Sequence, residues 1–106
     1  MNSEIQDIIV GLRQKLEMIY KERLVSIVLF GSQARGDAVS GSDIDILVVL
    51  KGTVNPGQEI AKVGETTSML SLKYDVVISC AFVSSDRYAT ERSPFLLNVR
   101  REGVSL

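Results

Sequence analysis

Histidine and tryptophan are absent from the 106 residues, proline occurs twice and cysteine once. Without imidazole there is no Ser-His-Asp or Cys-His nucleophile pair, no histidine general base and no zinc site built on histidine. A single cysteine excludes an internal disulfide and any CxxC redox or cysteine-rich metal site. Carboxylates, hydroxyls, Lys, Arg and a hard metal ion are what remain for catalysis. An excess of charge is lacking too: 12 Lys plus Arg face 13 Asp plus Glu, a net charge of −1. Nothing therefore draws the chain as a whole toward nucleic acid or an anionic membrane. No apolar run approaches the roughly 20 residues of a membrane span. The opening MNSEIQDIIVGLRQ is interrupted by acids and has no small-residue cleavage site, so no signal peptide is expected. With 45% hydrophobic and 24% charged residues, the chain reads as an ordinary cytoplasmic globule, one domain over residues 1–106.

Apolar spacing gives the order of elements. Ser3 can cap a first helix running to about Arg23, with Ile5, Ile8, Ile9, Leu12, Leu16 and Ile19 as its stripe. Leu24 to Phe30 and Ile44 to Leu50 are short, β-branched-rich runs that read as buried strands. Ser32 to Arg35 fits a single helical turn, followed by a loop from Gly36 to Ser42. After the turn at Asn55-Pro56-Gly57, a weaker helical pattern runs from Gln58 to about Leu72, carried by Ile60, Val63, Met69 and Leu70. Tyr74 to Val83 reads as a third strand, and Ser84-Ser85-Asp86 as the start of a polar connection. Ser93-Pro94 starts a last helix with Phe95, Leu96 and Val99 as its apolar face, closed by Gly103. The expected fold is α+β: a small mixed sheet of three or more strands flanked by helices.

Chemistry concentrates between Gly31 and Asp45. A strand that runs through Gly31-Ser32 into a helical turn presents unpaired backbone N–H groups, an anion cradle that Gly31 leaves open to close approach. The Ser32 hydroxyl adds a donor. Arg35, one turn on, is within reach of a phosphate, of Asp37 or of a C-terminal acid. Asp43 and Asp45 stand at positions i and i+2 of a strand start, which places both carboxylates on one face with Cα atoms about 6.5–7 Å apart. Adjacent acids at the head of an apolar strand repel one another unless a cation neutralises them. Carboxylates suit Mg²⁺, whose other positions are filled by water and substrate phosphates. Cradle and acid pair together describe a site for a metal–nucleoside triphosphate.

Gly31-Ser32, ten intervening residues and Asp43-x-Asp45, within the string GSQARGDAVSGSDIDILVV, resemble the signature of the DNA polymerase beta-like nucleotidyltransferase superfamily, in particular its minimal nucleotidyltransferases. The closing SPFLLNVRREGVSL is similar to the terminal helix of that branch. The resemblance implies a polymerase-beta-like core and transfer of AMP from ATP to a hydroxyl with two Mg²⁺ ions. It also implies a third carboxylate on a neighbouring strand, for which Asp75 is the candidate. Asp43, Asp45 and Asp75 would then be both the catalytic residues and the metal ligands, with Gly31, Ser32 and Arg35 on the nucleotide. Minimal nucleotidyltransferases of this kind are commonly antitoxins that adenylylate a tyrosine of a helical HEPN-domain toxin. The expected partners are thus a HEPN protein and ATP, with no direct nucleic acid and no membrane. The competing expectation is a non-catalytic nucleotide-binding module that neutralises its partner by docking.

Overall fold

The computed structural model describes residues 3–39 and 41–106; Ser40, within the expected loop, and the first two residues of the opening segment lie outside the described residues. Helix α1 (Ser3–Tyr20) is followed by a 3-10 turn (Lys21–Arg23), strand β1 (Leu24–Phe30) and the single turn α2 (Ser32–Arg35). Strand β2 (Ile44–Leu50), helix α3 (Pro56–Tyr74) and strand β3 (Ile78–Ser84) come next. Helices α4 (Ser85–Thr90) and α5 (Pro94–Glu102) and a two-residue strand β4 (Val104–Ser105) complete the order. The strands lie β3-β2-β1-β4, with β1 antiparallel to β2 and β4, and β2 parallel to β3. This is the mixed sheet the sequence pattern predicts. No described helix is long and apolar enough to cross a membrane.

Strand parity divides the core in two. Ile44, Ile46, Val48 and Leu50 point to one face of β2 and pack, with Ile27, Leu29, Ile78 and Phe82, against α1 and α3. Leu47 and Val49 point to the other face and pack, with Val28 and Val83, against Leu96 and Val99 of α5. Asp45 has the parity of Leu47, so it opens toward α5 rather than toward α1 and α3.

Several expectations need correction. The first helix ends at Tyr20, not Arg23, and Tyr20 rather than Ile19 is its last core residue: Ile19 is 37% exposed, Tyr20 4%. In α3, Val63 and Leu70 are buried, while Ile60 and Met69 are half exposed and Glu59 is buried instead. The third strand begins at Ile78, because α3 continues through Tyr74 and stops at Asp75, a non-glycine residue with φ 53°. The polar stretch after Ser84 is helical: the Ser84 hydroxyl accepts from the Arg87 N–H and caps α4. Gly103 lets the chain turn tightly against Val28 into β4, since a Cβ there would overlap the Val99 carbonyl and the Val28 side chain.

Candidate active site

The end of β1, the turn α2 and the start of β2 meet because the β1–β2 ladder sets Phe30 opposite Asp45. Gly31, with φ 77°, turns the chain out of the sheet, and its carbonyl accepts from the Ala34 and Arg35 N–H groups to build α2. Gly36, also at positive φ, closes that turn. Gly31 is demanded by packing as well as by backbone angle: a Cβ at this position would overlap Asp45 Oδ2. The cradle and the acid are therefore in contact, not merely adjacent.

Asp43 and Asp45 border a cavity of about 480 Å³ with Gly31, Ser32, Arg35 and Ser42 on the sheet side and Phe95, Asn98, Val99 and Glu102 from α5. Among the described residues neither aspartate receives a hydrogen bond or an ion pair. Burial raises the Asp45 carboxyl above its ordinary range; the Asp43 charge adds to that, and Arg35 opposes it. Two carboxylates that suffer from each other's charge, open to a cavity with a cationic side chain, match the donor chemistry of a hard divalent cation bound with phosphate oxygens. That residue set fits Mg²⁺ with a nucleotide.

A family model described as "Nucleotidyltransferase domain" matches residues 9–99. The chain belongs to this family. Two proteins of Methanocaldococcus jannaschii, each named "Putative protein adenylyltransferase", are similar to this nucleotidyltransferase domain over nearly its whole length. MJ0141 is 35% identical over 97% of this chain and 99% of its own, and MJ0604 is 38% identical over 97% and 96%. Among solved structures, a toxin-antitoxin with AMP-PNP aligns with a TM-score of 0.64 at 21% identity, over 98% of this chain and 72% of its own, a likeness of fold. A mutant form of the MntA-HpeT toxin-antitoxin aligns with a TM-score of 0.59 at 27% identity, over 100% and 72%.

Within this nucleotidyltransferase domain the sequence-predicted residues separate into two groups. Gly31, Ser32, Arg35, Asp43 and Asp45 line one cavity. Asp75 lines another, of about 530 Å³, with Gln33, Ser42, Tyr74 and Val76 and with Glu4, Ile5 and Ile8 of α1. The expectation that Asp75 opens the third strand is corrected: it caps α3, in the helix layer on the α1 side, whereas Asp43 and Asp45 face α5. The β3 position in register with Asp45 is Ser79. Among the described residues no group of three or more Asp, Glu, Cys or His side chains is placed to hold a metal ion.

Arg35 is already engaged. Its guanidinium donates to Asp37 at 3.2 Å and to Glu102 at 3.3 Å, and the Asp37 hydrogen bond, ahead of the Asp37 charge, raises its pKa further. Glu102 is the C-terminal acid that the sequence allows for Arg35 without singling it out; Asn98 and Phe30 are not sequence candidates. Glu102 follows Asn98 by four residues and Phe95 by seven, so helical spacing alone puts all three on one face of the last helix. What the sequence does not carry is that this face meets α2.

Proposed function

We propose that this nucleotidyltransferase domain transfers AMP from ATP, with Mg²⁺, onto a tyrosine hydroxyl of a helical HEPN-type partner, acting as the antitoxin of a two-component pair. The observation that carries this reading is the contact between Gly31 and Asp45, which joins a phosphate cradle to an unneutralised acid pair in one cavity. The two adenylyltransferase-named relatives support AMP as the transferred group, and the solved toxin-antitoxin at 27% identity supports a protein acceptor.

In this reading the backbone at Gly31-Ser32 and the Ser32 hydroxyl bind the β- and γ-phosphates, with Arg35 released from its own acids to join them. Asp43 and Asp45 hold Mg²⁺, which would polarise the phosphates and acidify the attacking hydroxyl. The acceptor oxygen bonds to the α-phosphorus, the bond from that phosphorus to the bridging oxygen of the β-phosphate breaks, and pyrophosphate leaves. The hydroxyl proton departs to solvent. The protein's share is orientation and a preset charge pattern, chemistry that needs no histidine.

One observation favours the docking alternative: the cavity that holds Asp43 and Asp45 does not hold Asp75. Incubation with α-labelled ATP, Mg²⁺ and a helical partner separates the readings. Label appears on the partner, and Asp43→Ala or Asp45→Ala abolishes it, if the domain is the transferase proposed. A tight complex without transfer, indifferent to both substitutions, leaves the docking module. Asp75→Asn in the same assay decides whether Asp75 belongs to the reaction or only to the α3 cap.

A further inference from the structure

The wall of the active-site cavity contributed by α5 is chemically uneven. Phe95, Asn98, Val99 and Glu102 lie at helical positions i, i+3, i+4 and i+7, one face of the helix. Val99, with Leu96, anchors that helix in the core. Phe95 is not spent in this way, since 46% of it is exposed. It is held all the same: its ring stands at 85° to that of Phe30, with centroids 5.4 Å apart. Such an edge-to-face pair fixes a ring without covering both its faces. Asn98 is exposed one turn further along, and its Oδ1 accepts from Arg101 at 2.8 Å. Its amide N–H₂ is left to donate.

We propose that Phe95 and Asn98 form the subsite for the donor's nucleobase, with Phe95 stacking on the ring and Asn98 donating to its polar edge. The proposal rests on the reading of this cavity as a nucleoside triphosphate site. A nucleotide is anionic at one end and a polar-edged aromatic plate at the other, and the cavity offers a complement to each. The two ends lie within side-chain reach of one another, since Glu102 on the same helix face meets Arg35 of the cradle at 3.3 Å. Stacking tolerates any base, and the Asn98 N–H₂ adds a donor for an acceptor atom on the base's polar edge. The acceptor's own aromatic ring is the competing occupant of Phe95. Asn98 favours the base, since a phenol has one polar atom, its hydroxyl, and the proposed transfer needs that atom at the α-phosphorus rather than at Asn98.

The test compares two probes on the full chain by equilibrium titration in Mg²⁺: ATP, and inorganic tripolyphosphate, which has the anionic end alone. For Phe95→Ala the expected result is a roughly 10- to 100-fold loss of ATP affinity with tripolyphosphate binding unchanged within about twofold. Phe95→Trp, which restores a stacking surface, returns ATP affinity toward the original. Asn98→Ala weakens ATP and leaves tripolyphosphate binding unchanged. Unchanged ATP affinity in Phe95→Ala, or equal losses for both probes, overturns the proposal, as does wild-type protein that binds ATP no more tightly than tripolyphosphate. If Phe95→Ala leaves ATP affinity intact but raises KM for the protein acceptor, the ring belongs to the acceptor instead. Failure of the wild-type chain to bind either probe overturns the triphosphate reading itself, a different result from the loss of base recognition alone.

Discussion

Two acids of the domain, the buried Glu59 and the half-buried Asp45, are treated in opposite ways. Glu59 of α3 is 2% exposed, and its Oε1 takes a hydrogen bond from the Tyr20 hydroxyl at 3.1 Å and an ion pair from Lys62 at 3.4 Å. Asp45 is partly buried beside Asp43 with no donor among the described residues, and its carboxyl is pushed toward the neutral form. An acid that serves the fold is given partners, since an unpaired buried charge is expensive. An acid that serves a ligand is left wanting one. The contrast sets the candidate active-site end of the sheet apart from the rest of the core without reference to any relative.

The largest expected effect breaks this contrast from the functional side. Asp43→Ala or Asp45→Ala should lower AMP transfer by at least about 100-fold, the scale of losing a preset electrostatic contact in a transition state. The folded state should not suffer: Asp45→Asn removes a charge that burial and Asp43 both oppose, so its thermal midpoint without nucleotide should equal or exceed that of the parent. A lowered midpoint would mean that Asp45 has a structural partner after all. Next in size is Gly31→Ala. Its methyl group must displace the Asp45 carboxylate and the residue must hold φ 77°, ψ −157°, so transfer and stability should fall together, stability by about 1–3 kcal/mol from the backbone alone.

On the structural side, Tyr20→Phe should cost about 1–3 kcal/mol in denaturant unfolding, because Glu59 then loses its buried donor, while transfer activity stays at the parent level. The smallest effect is in pH. Burial, followed by the hydrogen bond and charge of Glu59, raises the Tyr20 phenol above its ordinary value of 10.0. For an acid whose folded pKa is raised, the protonated form is what the fold favours. That contribution is therefore complete below pH 10 and is lost as pH climbs from there toward the folded value. Unfolding free energy should decline in that alkaline window for the parent and much less for Tyr20→Phe. Parallel curves would remove Tyr20 from the comparison.

The two central strands and the turn between cradle and acids are legible because each rests on a local signal. Leu24 to Phe30 and Ile44 to Leu50 are apolar runs broken only by Ser26 and Asp45, and Gly31-Ser32 with Asp43-x-Asp45 is a spacing. The features missed depend on partners distant in sequence or on elements too short to signal. Glu59 disrupts the α3 pattern because its partners include Tyr20, 39 residues away. Asp75 resembles the opening of a strand because nothing local announces a left-handed cap on a residue other than glycine. β4 has two residues, below the length at which alternation means anything. In the site, Ser32 and both acids are readable, but the wall opposite them is not. Phe95 looks like core until α5 is seen to tilt it into the cavity, and Glu102 finds Arg35 across 67 residues of sequence.

The ladder that sets Phe30 opposite Asp45 also frees the chain between them. Both ends of that connection are pinned from outside it, by the strand register and by the Ile44 N–H donating to the Val77 carbonyl at 2.9 Å. Beyond α2 and the Asp37 that pairs with Arg35, the described contacts are a short turn in which Val39 and Ser42 bond to each other and one long bond of 3.5 Å from Gln33 to the Ser42 carbonyl. Lengthening such a segment costs little in closure entropy, roughly 0.6 kcal/mol per doubling. An insertion at Ala38, after the Asp37 that pairs with Arg35 and before the Val39–Ser42 turn, is thus the change of length this small scaffold should bear at least cost in stability.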